Sequence, residues 1–279
     1  MQLASKATSS PWVWQWASNQ ASTSSGKEER ALCPLFSFWG HAATCDEKKG
    51  AGMIPIDPAQ VPQLYKQGLA HQSAGRFDMA EQIFANIARA APHLAEVPYQ
   101  RALIAQRQGR TQDAADHLAA ALALRPDEPA LLKAALGIFS AANRSDDALA
   151  AHDALIALAP RSVKPQADKA SYLQSLGRFE EAEAILRKLI RRHPEDGILY
   201  RMLVPTLTLT KGDPLIAGML KALRAPRQSD EGRMHLGFAL AKAMEDTGQH
   251  NKVFKYLDLG NRLQARGWPD DAPAREAER

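Results

Sequence analysis

The residue types that carry most enzyme chemistry are present but scattered. Eight histidines stand at His41, His71, His93, His117, His152, His193, His235 and His250. No two of them have the i, i+4 spacing, with a carboxylate beside them, that would set two metal ligands on one helix face. His117 and His152 could approach each other only across stacked helices, and two ligands do not make a metal site, so a packing or surface role is expected for both. Cys33 and Cys45 are the only cysteines and lack C-x-x-C or histidine spacing, which predicts neither a disulfide framework nor zinc. The acid pairs Asp146–Asp147 and Glu180–Glu181 fall where the first turn of a helix would place them against the positive end of its dipole. No G-x-x-x-x-G-K loop occurs. No catalytic, metal or cofactor residue is expected, and the chain reads as a non-enzyme that needs no cofactor.

What remains is recognition chemistry. Tyr65, Leu69, Gln72, Tyr99, Leu103, Gln106, Lys133, Ser140, Ser171 and Gln174 together would make a mildly apolar, hydrogen-bonding surface. Such a surface suits a partner helix or an extended peptide, with Tyr65 and Tyr99 as anchors. These residues share one surface only if the elements carrying them repeat.

They do repeat. Written in steps of 34 from residue 61, one column reads Pro92, Pro126, Pro160, Pro194; a second reads Ala80, Ala114, Ala148, Ala182; a third reads Gly75, Gly109, Asn143, Gly177. Four prolines in one column have a chance probability on the order of 10⁻⁵. Each column has a mechanical reason. Gly or Asn tolerates the left-handed backbone that closes a helix C-terminus. The alanines let the second helix of a repeat approach the first, whose own small residues are Gly68, Ala102 and Ala170. The third repeat has Leu136 there, which predicts a wider crossing or compensation by Gly137. Phe84, Leu118 and Leu186, with His152 as the exception, fill the gap between repeats. Proline then stops the second helix.

The pattern predicts first helices (A) near 61–74, 95–108, 129–142 and 163–176, and second helices (B) near 77–90, 111–124, 145–158 and 179–192. The expected fold is all-α: a right-handed superhelix of stacked hairpins with helices A on its concave side. Four repeats would occupy 53–196, as 61–94, 95–128, 129–162 and 163–196. Two degenerate pairs follow over 197–266, with a helix over 197–211 kinked at Pro205, another from 212–214 to Pro226, and a last pair at 230–247 and 250–266. Residues 1–52 hold four of the five tryptophans among Ser and Thr clusters and read as a disordered or wrongly assigned leader. Residues 267–279 read as a disordered tail.

Composition narrows the partners. Aromatic residues make up 6%, which suits thin, closely packed helices. The charge of +4 arises from 35 basic and 31 acidic residues, well mixed. The most basic stretch, 187–234, has few aromatic residues for stacking and reads as a solvated face, so no nucleic-acid partner is expected. No apolar run approaches the roughly 18 residues needed to span a bilayer. A cytoplasmic location, a protein or peptide partner and no membrane are the expectation.

The repeats resemble the tetratricopeptide family, and the resemblance implies a protein-binding scaffold. A second resemblance covers D-P-L-I-A at 213–217 and 235–263, where Phe238, Ala239, Leu240, Lys242, Ala243, Glu245, Asp246, Gly248, Gly260 and Asn261 stand. This stretch is similar to the segment joining the repeats to the catalytic domain in bacterial tetratricopeptide-repeat sulfotransferases. That resemblance implies a downstream domain whose Gly-Pro-Arg-Ser-Gly-Thr-Thr-like loop cradles the sulfate donor, and no such loop occurs in these 279 residues. The alternative to a free scaffold is therefore a substrate-presenting region of such an enzyme, without its catalytic domain. One class of tetratricopeptide arrays clamps chaperone C-terminal carboxylates with Lys, Asn and Arg. Here Tyr65, Leu69, Gln100, Ala130 and Ala134 occupy the corresponding positions, which implies no such clamp.

Overall fold

The computed structural model describes residues 57–267. The cysteines, the tryptophan-bearing leader and the tail after Gly267 lie outside the described residues. Among the described residues there are twelve α-helices and no strand. The first eight form four hairpins: α1 Val61–Ser73 with α2 Phe77–Ala90, α3 Glu96–Arg107 with α4 Thr111–Leu124, α5 Pro129–Ala141 with α6 Ser145–Leu158, and α7 Val163–Ser175 with α8 Phe179–Arg192.

The turns explain the Gly/Asn column. Gly75, Gly109, Asn143 and Gly177 have φ of 72°, 73°, 56° and 75°, and Asn143 is the single non-glycine residue with positive φ among those described. The residue after each sends its N–H back to the last turn of the helix: Arg76 to the His71 carbonyl, Arg110 to Ala105, Arg144 to Phe139 and Arg178 to Leu173, each at 2.9 Å. Those bonds satisfy carbonyls that the helix end leaves unpaired.

The small-residue columns explain the crossings. Ala80, Ala114, Ala148 and Ala182 are at most 1% exposed. A Cβ on Gly68 would lie 2.8 Å from the Phe84 ring, so α1 and α2 need glycine to close on the phenylalanine that fills the gap between repeats. Leu118 and Leu186 occupy the same place in their hairpins and are fully buried. In the third hairpin Gly137 is exposed and a Cβ there would meet nothing within 4 Å, so it does not compensate for Leu136. Leu136 instead packs, half-buried, against the cluster containing Leu118, Leu132 and Phe139.

Beyond residue 196 the hairpin pattern changes. The helix expected over 197–211 ends early: α9 is Gly197–Leu203, and Val204–Thr206 tighten into a 3₁₀ turn. Pro205 is the reason, since it has no N–H to bond back along the helix. An irregular stretch leads to Asp213, whose carboxylate accepts the Leu215 N–H (2.8 Å) and caps α10, Pro214–Leu223. Ser229 caps α11, Asp230–Asp246, by accepting the Gly232 N–H (3.0 Å), and α12 is His250–Gly267. Helix α11 is the hub, packed on α9, α10 and α12. Glycines allow this. A Cβ on Gly197 would overlap the Gly232 carbonyl oxygen, and one on Gly237 would lie 3.0 Å from the Tyr256 carbonyl oxygen.

Candidate functional site

The odd-numbered helices α1, α3, α5 and α7 carry the predicted recognition residues. The Gln100 side chain of α3 hydrogen-bonds the Tyr65 hydroxyl of α1. The Gln174 amide of α7 donates to the Met202 carbonyl oxygen of α9 at 2.9 Å. These side chains tie neighbouring hairpins along one wall.

The ten residues do not have equal freedom. Tyr65 is half-buried, with its ring edge-on to Phe84 at 5.6 Å between centroids and 65° between planes. Burial pushes its hydroxyl up to about 12, with the nearby Glu96 carboxylate adding to the effect and the Gln100 contact opposing it. Tyr65 is thus a fixed part of the wall. Tyr99, half-buried against the second core cluster, presents the remainder of its ring. Leu69, Gln72 and Leu103 are half-buried, whereas Gln106, Lys133 and Ser171 are exposed. Ser140 donates its hydroxyl hydrogen to the Leu136 carbonyl oxygen (2.6 Å), and Gln174 is engaged with Met202, so both are partly spent on structure.

The two histidines of the neighbouring outer helices stand apart. His152 is 5% exposed and lies against the Tyr172 ring, with centroids 5.3 Å apart. Its nearest charges are Asp168, Lys169 and Asp153, while those around His117 are Arg101, Glu81, Asp113 and Arg110. The two imidazoles therefore belong to separate clusters. Among the described residues no group of three or more His, Cys, Asp or Glu could hold a metal ion. An open cavity of about 300 Å³ lies away from the predicted residues, lined by Asp196, Ile198, Gln228, Ser229, Glu231 and His235 with Gly197 and Gly232. Its Asp196 carboxylate already caps α9 through the Ile198 N–H (3.2 Å). No helix among the described residues is long and apolar enough to cross a membrane.

A further column was legible in the 34-residue register: Arg76, Arg110, Arg144 and Arg178. It lies at the turns. Arg110 pairs with Asp113 (2.6 Å), Arg144 with Asp147 (2.6 Å) and across the repeat with Asp116 (2.7 Å), and Arg178 with Glu181 through both nitrogens (2.6 and 2.8 Å). The Arg178 hydrogen bond holds the Glu181 carboxyl below its usual range. Arg76, with Met79 where the others have an acid, donates to His71 Nδ1 at 2.9 Å. One acid of each pair, Asp147 and Glu181, is thus the partner of a turn arginine as well as of the helix dipole.

Residues 139–204 match the family model described as tetratricopeptide repeat, across the third-to-fourth hairpin junction and α9. Within that stretch the chain is similar to tetratricopeptide repeats. Solved structures similar to it include a MamA structure labelled MSR-1, 18% identical over 76% of this chain and 99% of that chain with a TM-score of 0.42. A tetratricopeptide repeat protein from Parabacteroides merdae is 17% identical over 78% of this chain and 82% of its own, with a TM-score of 0.42. The first tetratricopeptide repeat domain of Spaghetti (RPAP3), solved bound to an HSP90 peptide, is 18% identical over 45% of this chain and 99% of its own, with a TM-score of 0.38. No curated protein matches the chain. The residues quoted for the sulfotransferase resemblance sit in the packing that follows the four hairpins. Phe238 covers Gly260, and Asp246 accepts hydrogen bonds from Lys242 Nζ and from the Leu209 N–H (3.1 Å).

Proposed function

We propose that the chain is a non-enzymatic scaffold that binds a peptide or helix of a partner protein along the wall formed by α1, α3, α5 and α7. The observation that carries this reading is the unequal use of the two helix sets. On the even-numbered helices, Asp113, Asp116, Asp147 and Glu181 are spent on ion pairs with the turn arginines Arg110, Arg144 and Arg178. The odd-numbered helices leave Gln106, Lys133 and Ser171 exposed, beside the half-buried Tyr99 and Leu103. A mixed apolar and polar strip on rigid helices is the composition that recognises an extended segment through a few anchors. Tyr99 and Leu103 supply apolar area, Gln72 and Gln106 supply hydrogen bonds, and Tyr65, Ser140 and Gln174 stiffen the strip. No carboxylate clamp is part of this reading, because Ala130 and Ala134 offer no cation.

The test is selection of binding peptides from a displayed random library with the whole chain. Tyr99→Ala together with Ser171→Trp should then weaken the selected peptides about tenfold or more by loss of an anchor and obstruction of the strip. Ala150→Asp, on the exposed side of α6, should leave them unchanged. Selected peptides that bind the Tyr99→Ala, Ser171→Trp variant with undiminished affinity would rule this wall out. The association with sulfotransferases rests on the resemblance of 213–263 alone, and an adjoining sulfotransferase-like reading frame in the genomic DNA is the observation it requires.

A further inference from the structure

In the first three hairpins the two helices differ in charge as well as in use. The wall helices α1, α3, α5 and α7 hold six cations and two acids, Glu96 and Asp168. The outer helices α2, α4 and α6 hold seven acids and one cation, Arg89, whereas α8, the outer helix of the fourth hairpin, holds three acids and four cations. Pairing within the fold removes both acids from the wall: Arg125 takes Glu96 (2.8 Å) and Lys164 takes Asp168 (3.3 Å). Arg101 and Lys169 are turned to outer-helix acids, Glu81 (2.7 Å) and Asp153 (2.5 Å). What remains on the wall is uniformly positive. Lys66, Arg107 and Lys133 are exposed and have no ion-pair partner among the described residues. Arg201 of α9 continues the series, exposed, with its guanidinium 5.6 Å from the Phe238 ring centroid and no carboxylate.

We infer that the segment recognised by this wall is acidic: an extended peptide whose Glu or Asp side chains face Lys66, Arg107, Lys133 and Arg201 while its apolar side chains meet Tyr99 and Leu103. This rests on the wall being the binding site, as proposed above. Unpaired cations of one sign along a surface steer an anionic partner and disfavour a cationic one. Four dispersed cations separated by neutral Gln, Ser and Ala fit side-chain carboxylates along a peptide, and they lack the aromatic stacking series and density of cations that a nucleic-acid strand requires. A terminal carboxylate is not needed, since no two of these cations share one repeat.

The experiment measures fluorescence anisotropy of three synthetic peptides of equal length, in which Leu and Ala alternate with Glu, with Gln or with Lys, against the whole chain. The Glu peptide should bind at least about tenfold more tightly than the Gln peptide at low salt, and the difference should shrink at about 0.5 M ionic strength. Lys66→Gln with Arg107→Gln and Lys133→Gln should abolish the difference. Lys188→Gln with Arg191→Gln and Arg192→Gln, at the end of α8, should not. Equal binding of the Glu and Gln peptides that still depends on Tyr99 overturns the charge preference and leaves the wall as a site. No binding of any peptide, displayed or synthetic, overturns the wall reading itself. Tighter binding of a single-stranded oligonucleotide, or self-association abolished by the triple wall variant, would overturn the acidic peptide in favour of nucleic acid or of a second copy's acidic outer helices.

Discussion

At the scale of single residues, the repeat columns were read for size and backbone freedom, and those properties govern the structure. Gly68 is recognisable because small residues recur in its column, with Ala102 and Ala170, and Asn143 because it is the residue besides glycine that most readily takes the left-handed turn. Of the two expectations for the third crossing, compensation by Gly137 fails because that residue is exposed. His152 is the residue whose chemistry departs most from its column. It occupies the place of Phe84, Leu118 and Leu186, makes no hydrogen bond among the described residues, and is surrounded by Tyr172, Asp153, Asp168 and Lys169. Burial, the largest influence, lowers its pKa below the usual 6.5. The unfolded chain therefore takes up a proton at higher pH than the folded one, and stability falls as pH drops through 6.5, levelling off below the folded value. His117 is lowered by burial in the same direction. His152→Leu should raise stability and flatten, without abolishing, the loss between pH 7 and 5, as measured by urea unfolding. A variant with the parent's full pH dependence would show that His152 stays hydrated.

At the scale of elements, the four hairpins were legible to within a residue or so at the helix ends, because cap, crossing and stop residues all recur with the same period. The region after residue 196 was legible only in part. Each of its devices occurs once: Pro205 ends α9, Asp213 caps α10, and Gly197 and Gly237 admit close helix approach. Asp246 has a similar singular task, since it joins the irregular stretch before α10 to α11. Burial tends to raise its pKa, but the Lys242 hydrogen bond, the Leu209 N–H and the Lys242 charge together hold it below its usual range. Its contribution is present above the unfolded pKa and is lost as pH falls through the folded one. Asp246→Asn should cost about 1–3 kcal/mol and speed hydrogen exchange at the Leu209 amide, leaving amides in α1–α4 unchanged. Unaltered exchange at Leu209 would mean that the bond does not hold the stretch in solution.

At the scale of the whole molecule, contacts between neighbouring repeats define the array. Tyr65 to Gln100, Arg144 to Asp116, and Gln174 to Met202 each cross from one hairpin to the next. A linear array of this kind presents a continuous strip, and recognition is distributed over several repeats. The candidate strip could be found in the sequence because its positions repeat with the helices. The use of Tyr65 and Gln174 as internal ties could not, since their partners sit in other repeats and no spacing rule names them. The set of unpaired wall cations emerges only when pairing is known, because Arg101 and Lys169 count as wall cations in the sequence but serve outer-helix acids in the fold.

The most direct measurement is photocross-linking with a display-selected peptide, placing a benzophenone side chain in turn at Ser171 and Lys133 on the wall and at Ala150 on the exposed side of α6. The expected result is a cross-linked product from positions 171 and 133 and none from 150. Cross-linking from 150 with none from the wall positions would contradict the assignment of the binding surface.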